Sequence, residues 1–221
     1  MRNSGTALIL LVAGLALAGC TLHPGGVPVP KPILRVKDNN PALWISRNPR
    51  VIKYRRHYLK TRTVETALRK AQRFIPTINA EFKRRNLPLE LGFLPILESL
   101  FANRANSGVA RGMWQFTKST GRRMGLRIGF MVDERMDWRK ATAAAAAYLD
   151  QLGAQFDYDW GLALASYNGG PGYISRAMTA QGTRSFFKLK LRKETYEYVP
   201  RFVAMLQVAR EKFPRLMLPN Y

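Results

Sequence analysis

Val64, Leu68, Ala71, Ile75, Ile78 and Phe82 recur at spacings of three and four residues, the period that lines one face of an α-helix. Thr63 can cap the start of this stretch, and Pro76 must kink the helix or divide it. Leu89 to Phe101 is apolar nearly all round, which predicts a buried helix. Asp137 can cap a helix from Trp138 to Leu152, whose alanine run (Ala143 to Ala147) lets another backbone pack close. Trp160 to Tyr167 reads as a short apolar helix stopped by Gly169-Gly170-Pro171-Gly172. Tyr198, Phe202, Met205 or Leu206, Ala209 and Phe213 form the face of a last helix. The alternation of apolar and polar residues that marks strands is almost absent. The pattern predicts a mainly α domain with no internal repeat.

The start of the chain bears on compartment. Met1-Arg2 supplies a positive charge, and Ala7 to Ala18 is an apolar run broken only by Gly14. That run is too short to span a bilayer comfortably, and its composition is that of a secretory signal. It ends in Leu17-Ala18-Gly19-Cys20, which resembles the lipobox of bacterial lipoproteins. The resemblance implies a signal peptide over residues 1–19, cleavage before Cys20, and lipid chains on that cysteine. The plainer alternative is an ordinary cleaved signal with an incidental cysteine. Residues 20–41 carry Pro24, Gly25, Gly26, Pro28, Pro30, Pro32 and Pro41, an extended tether stiffened by proline.

Cys20 is the only cysteine, so no internal disulfide can hold the fold together. A chain of 221 residues, 47% of them hydrophobic, can build one ordinary core instead. A single domain is expected. The net charge of +22 speaks to partners and not to fold. Nucleic acid would be the first partner for a cytosolic chain, and an exporting leader makes that a poor reading. Outside the cytoplasm the anions are phospholipid head groups and the carboxylates of cell-wall peptides. A basic surface with no specific ligand is the alternative.

Glu98 stands alone among large apolar neighbours in Leu94-Pro95-Ile96-Leu97-Glu98-Ser99-Leu100-Phe101. Burial there would disfavour its charged form and keep it protonated near neutral pH, ready to protonate a leaving oxygen. On spacing alone a buried Glu is more often a structural partner of an Arg. Three further segments bear on the choice: Gly112-Met113-Trp114-Gln115-Phe116, Ser166-Tyr167-Asn168-Gly169-Gly170, and Glu194-Thr195-Tyr196-Glu197-Tyr198-Val199-Pro200. Each pairs an aromatic or apolar face with an amide or phenol, the chemistry that binds sugars. Each alone also reads as core packing or capping.

Taken in this order, those segments resemble the lytic transglycosylases, in particular the membrane-bound D type with its goose-lysozyme-like catalytic domain. The resemblance runs from about Ala42 to Phe213, through Leu87-Pro88, Glu98-Ser99, Thr120-Gly121-Arg122-Arg123, Val132-Asp133-Glu134-Arg135 and Tyr198-Val199-Pro200. It implies a mainly α, goose-type lysozyme-like single catalytic domain over residues 42–221. The family's only catalytic carboxylate falls on Glu98. Its sugar groove falls on Met113, Gln115, Tyr167, Asn168 and Tyr198, and its polar neighbours of the acid on Ser99 and Ser107. The segment Ser107-Gly108-Val109-Ala110-Arg111-Gly112 is one residue shorter than the family's usual form. The D type usually adds C-terminal wall-binding repeats, which are not found before Tyr221. A hold on the wall is therefore expected from the groove, the anchor or the positive charge.

A glycosidase normally uses two carboxylates. Asp133, Glu134, Asp137, Asp157, Asp159 and Glu194 are the other candidates, and Asp133, Glu134, Asp137 and Glu194 look like helix-start residues. The family implies that no second one is needed. Glu98 would protonate the β-1,4 oxygen between MurNAc and GlcNAc while the N-acetyl carbonyl attacks its own anomeric carbon. Glu98 would then take the proton of the C6 hydroxyl and close a 1,6-anhydro ring. No metal, other cofactor or nucleic acid enters this scheme; the partners are glycan strands and, through the lipid anchor, the membrane. Two rivals stay open: a lysozyme-like hydrolase, and a non-catalytic wall-binding lipoprotein. Thr21 stands where an aspartate would be the inner-membrane retention signal, which points to the outer membrane facing the periplasm.

Overall fold

The computed structural model describes residues 48–217. The expected signal peptide, Cys20 and the tether lie outside the described residues. The described chain is mainly helical, as the apolar spacing predicted. Helix α1 (Pro49–Thr61) is capped by Asn48, whose side chain accepts from Arg50 N at 2.9 Å. Helix α2 (Thr63–Ala71) and helix α3 (Ile75–Arg84) are the two halves of the stretch around Pro76, which sits in the first turn of α3. Proline is tolerated there because the first turn has no intrahelical use for its missing N–H. All six residues of the predicted face are buried. Thr63 does not cap: it is already helical, and its hydroxyl donates to the Thr61 hydroxyl at 3.0 Å.

The predicted helix from Leu89 to Phe101 is instead broken. A 3-10 turn (Leu89–Phe93) leads into one turn of α-helix, α4 (Pro95–Ser99). Pro95 cannot continue a helix begun before it, and Leu100 and Phe101 both adopt left-handed backbone, φ 53° and 56°. Phe101 N reaches back to Pro95 O at 3.1 Å and closes the turn. Burial of Phe101, stacked at 6.0 Å on Phe74, holds the chain in this unfavourable bend.

A small antiparallel hairpin follows, β1 (Ala110–Arg111) with β2 (Phe116–Thr117), and is the only sheet among the described residues. Helix α5 (Lys118–Arg123) starts on Thr117, and a 3-10 turn (Glu134–Met136) precedes α6 (Trp138–Gln155). Asp137 caps α6 as predicted, accepting from Arg139 N at 3.0 Å and Lys140 N at 3.3 Å. Its alanines 141, 144, 145 and 146 are buried, which lets α6 pack on α3 and on α7 (Trp160–Gly169). Helix α8 (Pro171–Gln181) begins immediately after α7, so the glycine-proline stop is a corner between two helices. A 3-10 turn (Phe186–Lys188) leads to α9 (Lys193–Lys212) and the short α10 (Pro214–Met217). Helix α9 packs against α1, α2 and α7, and Tyr198, Phe202, Met205, Leu206 and Ala209 are buried on it. Among the described residues no helix is long and apolar enough to cross a membrane.

Candidate active site around Glu98

Glu98 occupies the single turn of α4, and the left-handed pair after it ends the helix one residue later. Its carboxylate is met from α9, where the Tyr198 hydroxyl donates a hydrogen bond to Glu98 Oε1. Burial is the dominant influence on this carboxyl and pushes it up to about 7. The Tyr198 hydrogen bond and the Arg201 guanidinium oppose that rise, and the Glu194 carboxylate adds to it. Tyr198 is itself buried, and burial, with the Glu98 charge beside it, raises its phenol well above the ordinary range. It therefore remains a donor throughout any pH at which the carboxyl titrates.

The floor beneath Glu98 is built from backbone. Ser99 Oγ donates to Met113 O at 2.8 Å, and Tyr167 Oη donates to Trp114 O at 2.8 Å. These two bonds lash α4 and α7 to the same two peptide units. The units are held in turn by Trp114, fully buried, stacked at 6.0 Å on Phe82 and donating from Nε1 to Thr142 Oγ1 at 3.0 Å. Tyr167 lies close enough to Glu98 and Tyr148 for their charges to raise its phenol further, after burial as the main cause.

Gly112 makes the approach to this floor possible. It has φ 82°, and a Cβ on it would lie 1.7 Å from the Arg135 carbonyl oxygen. Gln115 takes left-handed backbone as well, φ 49°, and its amide nitrogen donates to Gly112 O at 2.8 Å and Ala105 O at 3.4 Å. The side-chain amide thus braces the turn with its nitrogen.

At the rim, Asn168 Nδ2 donates to Glu194 Oε1 at 3.3 Å. Gly169 next to it is packed so closely on α9 that a Cβ would fall 2.9 Å from Thr195 Cγ2 and Oγ1. The ends of α7 and α9 are therefore fixed to each other beside Glu98.

The structure brings Glu98, Ser99, Tyr167 and Tyr198 together, with Asn168 and Gln115 in hydrogen-bonded frames beside them. Met113 is fully buried in the core, so its side chain supports the floor and only its carbonyl reaches Ser99. Ser107 stands apart: its hydroxyl donates to Ala110 O at 3.3 Å and accepts from Ala110 N at 3.1 Å. It closes the turn into β1 and makes no hydrogen bond to Glu98.

The other carboxylates have structural employment. Asp133 is held below the ordinary range chiefly by its hydrogen bond to Arg135, and it caps the 3-10 turn by accepting from Arg135 N. Glu134 is held down to about 2 by Lys140, Arg127 N and the Arg127 guanidinium. Asp157 pairs with Arg184 at 2.7 Å, and Asp159 caps α7 by accepting from Leu162 N at 3.1 Å. Glu194 lies in the first turn of α9, as its sequence position predicted. Among the described residues no cluster of three or more His, Cys, Asp or Glu could hold a metal ion.

Residue-by-residue reading of the sequence passed over Arg201 and Tyr58. Arg201 Nε donates to Tyr58 Oη at 3.4 Å, and its charge bears on both Glu98 and Tyr198. The signal was the spacing of three from Tyr198, which puts both on one face of α9. Tyr58 comes from α1 and could not be foreseen from local pattern.

Comparison with known proteins gives this site a family. The chain is 35% identical over 174 residues to the membrane-bound lytic murein transglycosylase D of Escherichia coli, in strain K12 and again in strain CFT073. The aligned region is 76% of this chain and 38% of those relatives. This chain thus spans well under half of their length. A solved structure of lytic transglycosylase Slt from Pseudomonas aeruginosa superposes with a TM-score of 0.46 at 24% identity, covering 68% of this chain and 24% of that one. Residues 76–190 match the family described as the transglycosylase SLT domain. That match covers more than half of the 221 residues, and the chain belongs to the transglycosylase SLT domain family.

Proposed function

We propose that this chain is a peptidoglycan lytic transglycosylase that cuts the β-1,4 bond between MurNAc and GlcNAc and leaves 1,6-anhydro-MurNAc ends. The observation that carries the proposal is the Glu98 carboxyl, raised by burial to about 7 and hydrogen-bonded by a phenol that stays protonated. A group poised there can give a proton and take one back near neutral pH. Glu98 protonates the glycosidic oxygen while the N-acetyl carbonyl of MurNAc attacks C1. The ionised Glu98 then accepts the C6 hydroxyl proton as O6 closes on C1 and the acetamido oxygen departs. No water is consumed.

The remaining residues have subordinate parts. Tyr198 holds the carboxylate during its ionised phase. Tyr167, Asn168 and Gln115 present phenol and amide groups to the sugars, and Ser99 fixes the acid-bearing turn. That five other carboxylates are committed to caps and ion pairs supports a single acid and base. Glu194 favours the rival reading of a hydrolase, since it is near enough to raise Glu98 and could orient a water.

Glu98→Gln tests the role of the acid. The variant is expected to keep its fold and bind sacculi but release no soluble muropeptides. Release at the wild-type rate would overturn the assignment. The relatives are named as membrane-bound murein enzymes, which supports a place in the cell envelope. The finer reading is an outer-membrane lipoprotein anchored through Cys20 and facing the periplasm. Thr21→Asp is expected to shift the full chain to inner-membrane fractions, and unchanged fractionation would contradict that placement.

A further inference from the structure

The loop from Arg127 to Asp133 carries two adjacent side chains with almost no protein contact. Phe130 and Met131 are 106% and 95% exposed, and Val132 beside them is 40% exposed. The loop is nevertheless built. Gly129 N donates to Val132 O at 2.7 Å across the tip, Ile128 and Asp133 form a bridge at its base, and Arg122 Nη2 donates to Ile128 O at 2.8 Å. The tip is therefore held outward by its own backbone.

Beneath the tip lies a cavity of about 560 Å³ lined by Arg111, Lys118, Arg122, Phe130, Asp133 and Met136. Three of those residues are cations, and the one carboxylate, Asp133, is already taken by Arg135 at 2.6 Å and Arg111 at 3.3 Å. Arg127, at the loop's start, has a side chain 71% exposed. The cavity thus offers positive charge to an anion, directly under an apolar tip.

A phenyl and a thioether projecting together into water, rimmed by cations, match a surface whose interior is hydrocarbon and whose face is anionic. Glycan strands whose MurNAc lactyl groups are amide-linked to stem peptides offer no anion along the sugar backbone. Cell-wall peptides offer carboxylates but no apolar depth for Phe130 and Met131 to enter. We propose that this loop and cavity form a peripheral membrane contact, with Phe130 and Met131 entering the lipid surface and Arg111, Lys118 and Arg122 receiving the phosphate of an anionic phospholipid. The charge of +22 on the whole chain draws it to the same surface from a distance.

The test is flotation of the full chain with vesicles of phosphatidylcholine, with and without phosphatidylglycerol. Residues 1–47 are the same in every protein compared, so ratios between variants report the loop. Phe130→Ser with Met131→Ser should lower partition onto phosphatidylglycerol vesicles by about tenfold. Lys118→Glu should lower it only where phosphatidylglycerol is present, and the loss should shrink as salt is raised. These side chains are exposed, so thermal melts and muropeptide release should match wild type. Unchanged partition of the apolar double variant would overturn the proposal. So would loss of sacculus binding with vesicle binding intact, which would make the loop a grip on the wall.

Discussion

Glu98 and Tyr198 stand a hundred residues apart in the chain and share one hydrogen bond, phenol to carboxylate. It favours the ionised carboxyl, while burial favours the protonated one, and burial wins. Tyr198→Phe removes the donor and keeps the ring. The Glu98 carboxyl should then titrate above about 7, carrying the alkaline limb of the kcat/KM profile upward with it. We expect kcat to fall about tenfold and stability to change by about 1 kcal/mol. A pH–rate profile checks this, and a fixed limb would show that the hydrogen bond does not tune the acid.

The raised carboxyl also predicts a stability signature. Between the ordinary 4.5 and about 7 the folded protein holds a proton that the unfolded chain releases. Stability must therefore fall as pH rises through that window, with the loss complete above it. Glu98→Gln removes the titrating group. It should match the wild type near pH 4 and exceed it near pH 8 by up to about 3 kcal/mol. Calorimetric melts at the two pH values give the comparison, and equal differences at both would contradict a raised carboxyl.

Gly112→Ala places a methyl 1.7 Å from the Arg135 carbonyl oxygen at a φ of 82°. The floor under Ser99 and Tyr167 cannot accommodate it without moving. A loss of roughly 3 kcal/mol or more is expected, read as a lowered Tm, with activity lost even below that temperature. A melt within a degree or so of wild type would show that the hairpin yields easily.

Thr142→Val leaves Trp114 Nε1 without its buried acceptor. The expected loss is about 1–3 kcal/mol in urea unfolding at unchanged m-value. Because Trp114 O receives the Tyr167 hydroxyl, activity should decline with it. An unchanged midpoint would mean that the indole finds another partner.

The helices through Val64 to Phe82, Trp138 to Leu152 and Tyr198 to Ala209 were legible because each buries an apolar face that its spacing records, whereas α1 and the short α5 carry too few buried residues to show one. Asp137 was legible as a cap because nothing but its own helix start decides it. The stretch from Leu89 to Phe101 misled for the opposite reason. Its apolar composition reports burial, whereas its path is set by Pro95 and by Phe101 packing on Phe74 from another helix. Helix α8 hid behind the glycine and proline that turn the corner into it.

The candidate site divides the same way. Glu98 was legible as a carboxyl in an apolar setting, and the structure supplies the burial that raises it. Tyr167 and Ser99 were picked out as residues, but their work on the carbonyls of Trp114 and Met113 depends on tertiary placement. Met113, by contrast, is a groove residue by the resemblance, and the structure buries it fully in the core. Arg201 and Tyr58 join the site from two helices that meet only in the folded state.

In the proposed reaction a single carboxyl, Glu98, works without water. Mass spectrometry of the products released from purified sacculi tests it most directly. Muropeptides ending in 1,6-anhydro-MurNAc are expected, and none of these from Glu98→Gln. Products one water heavier, with reducing MurNAc ends, would make the enzyme a hydrolase and return Glu194 to the chemistry.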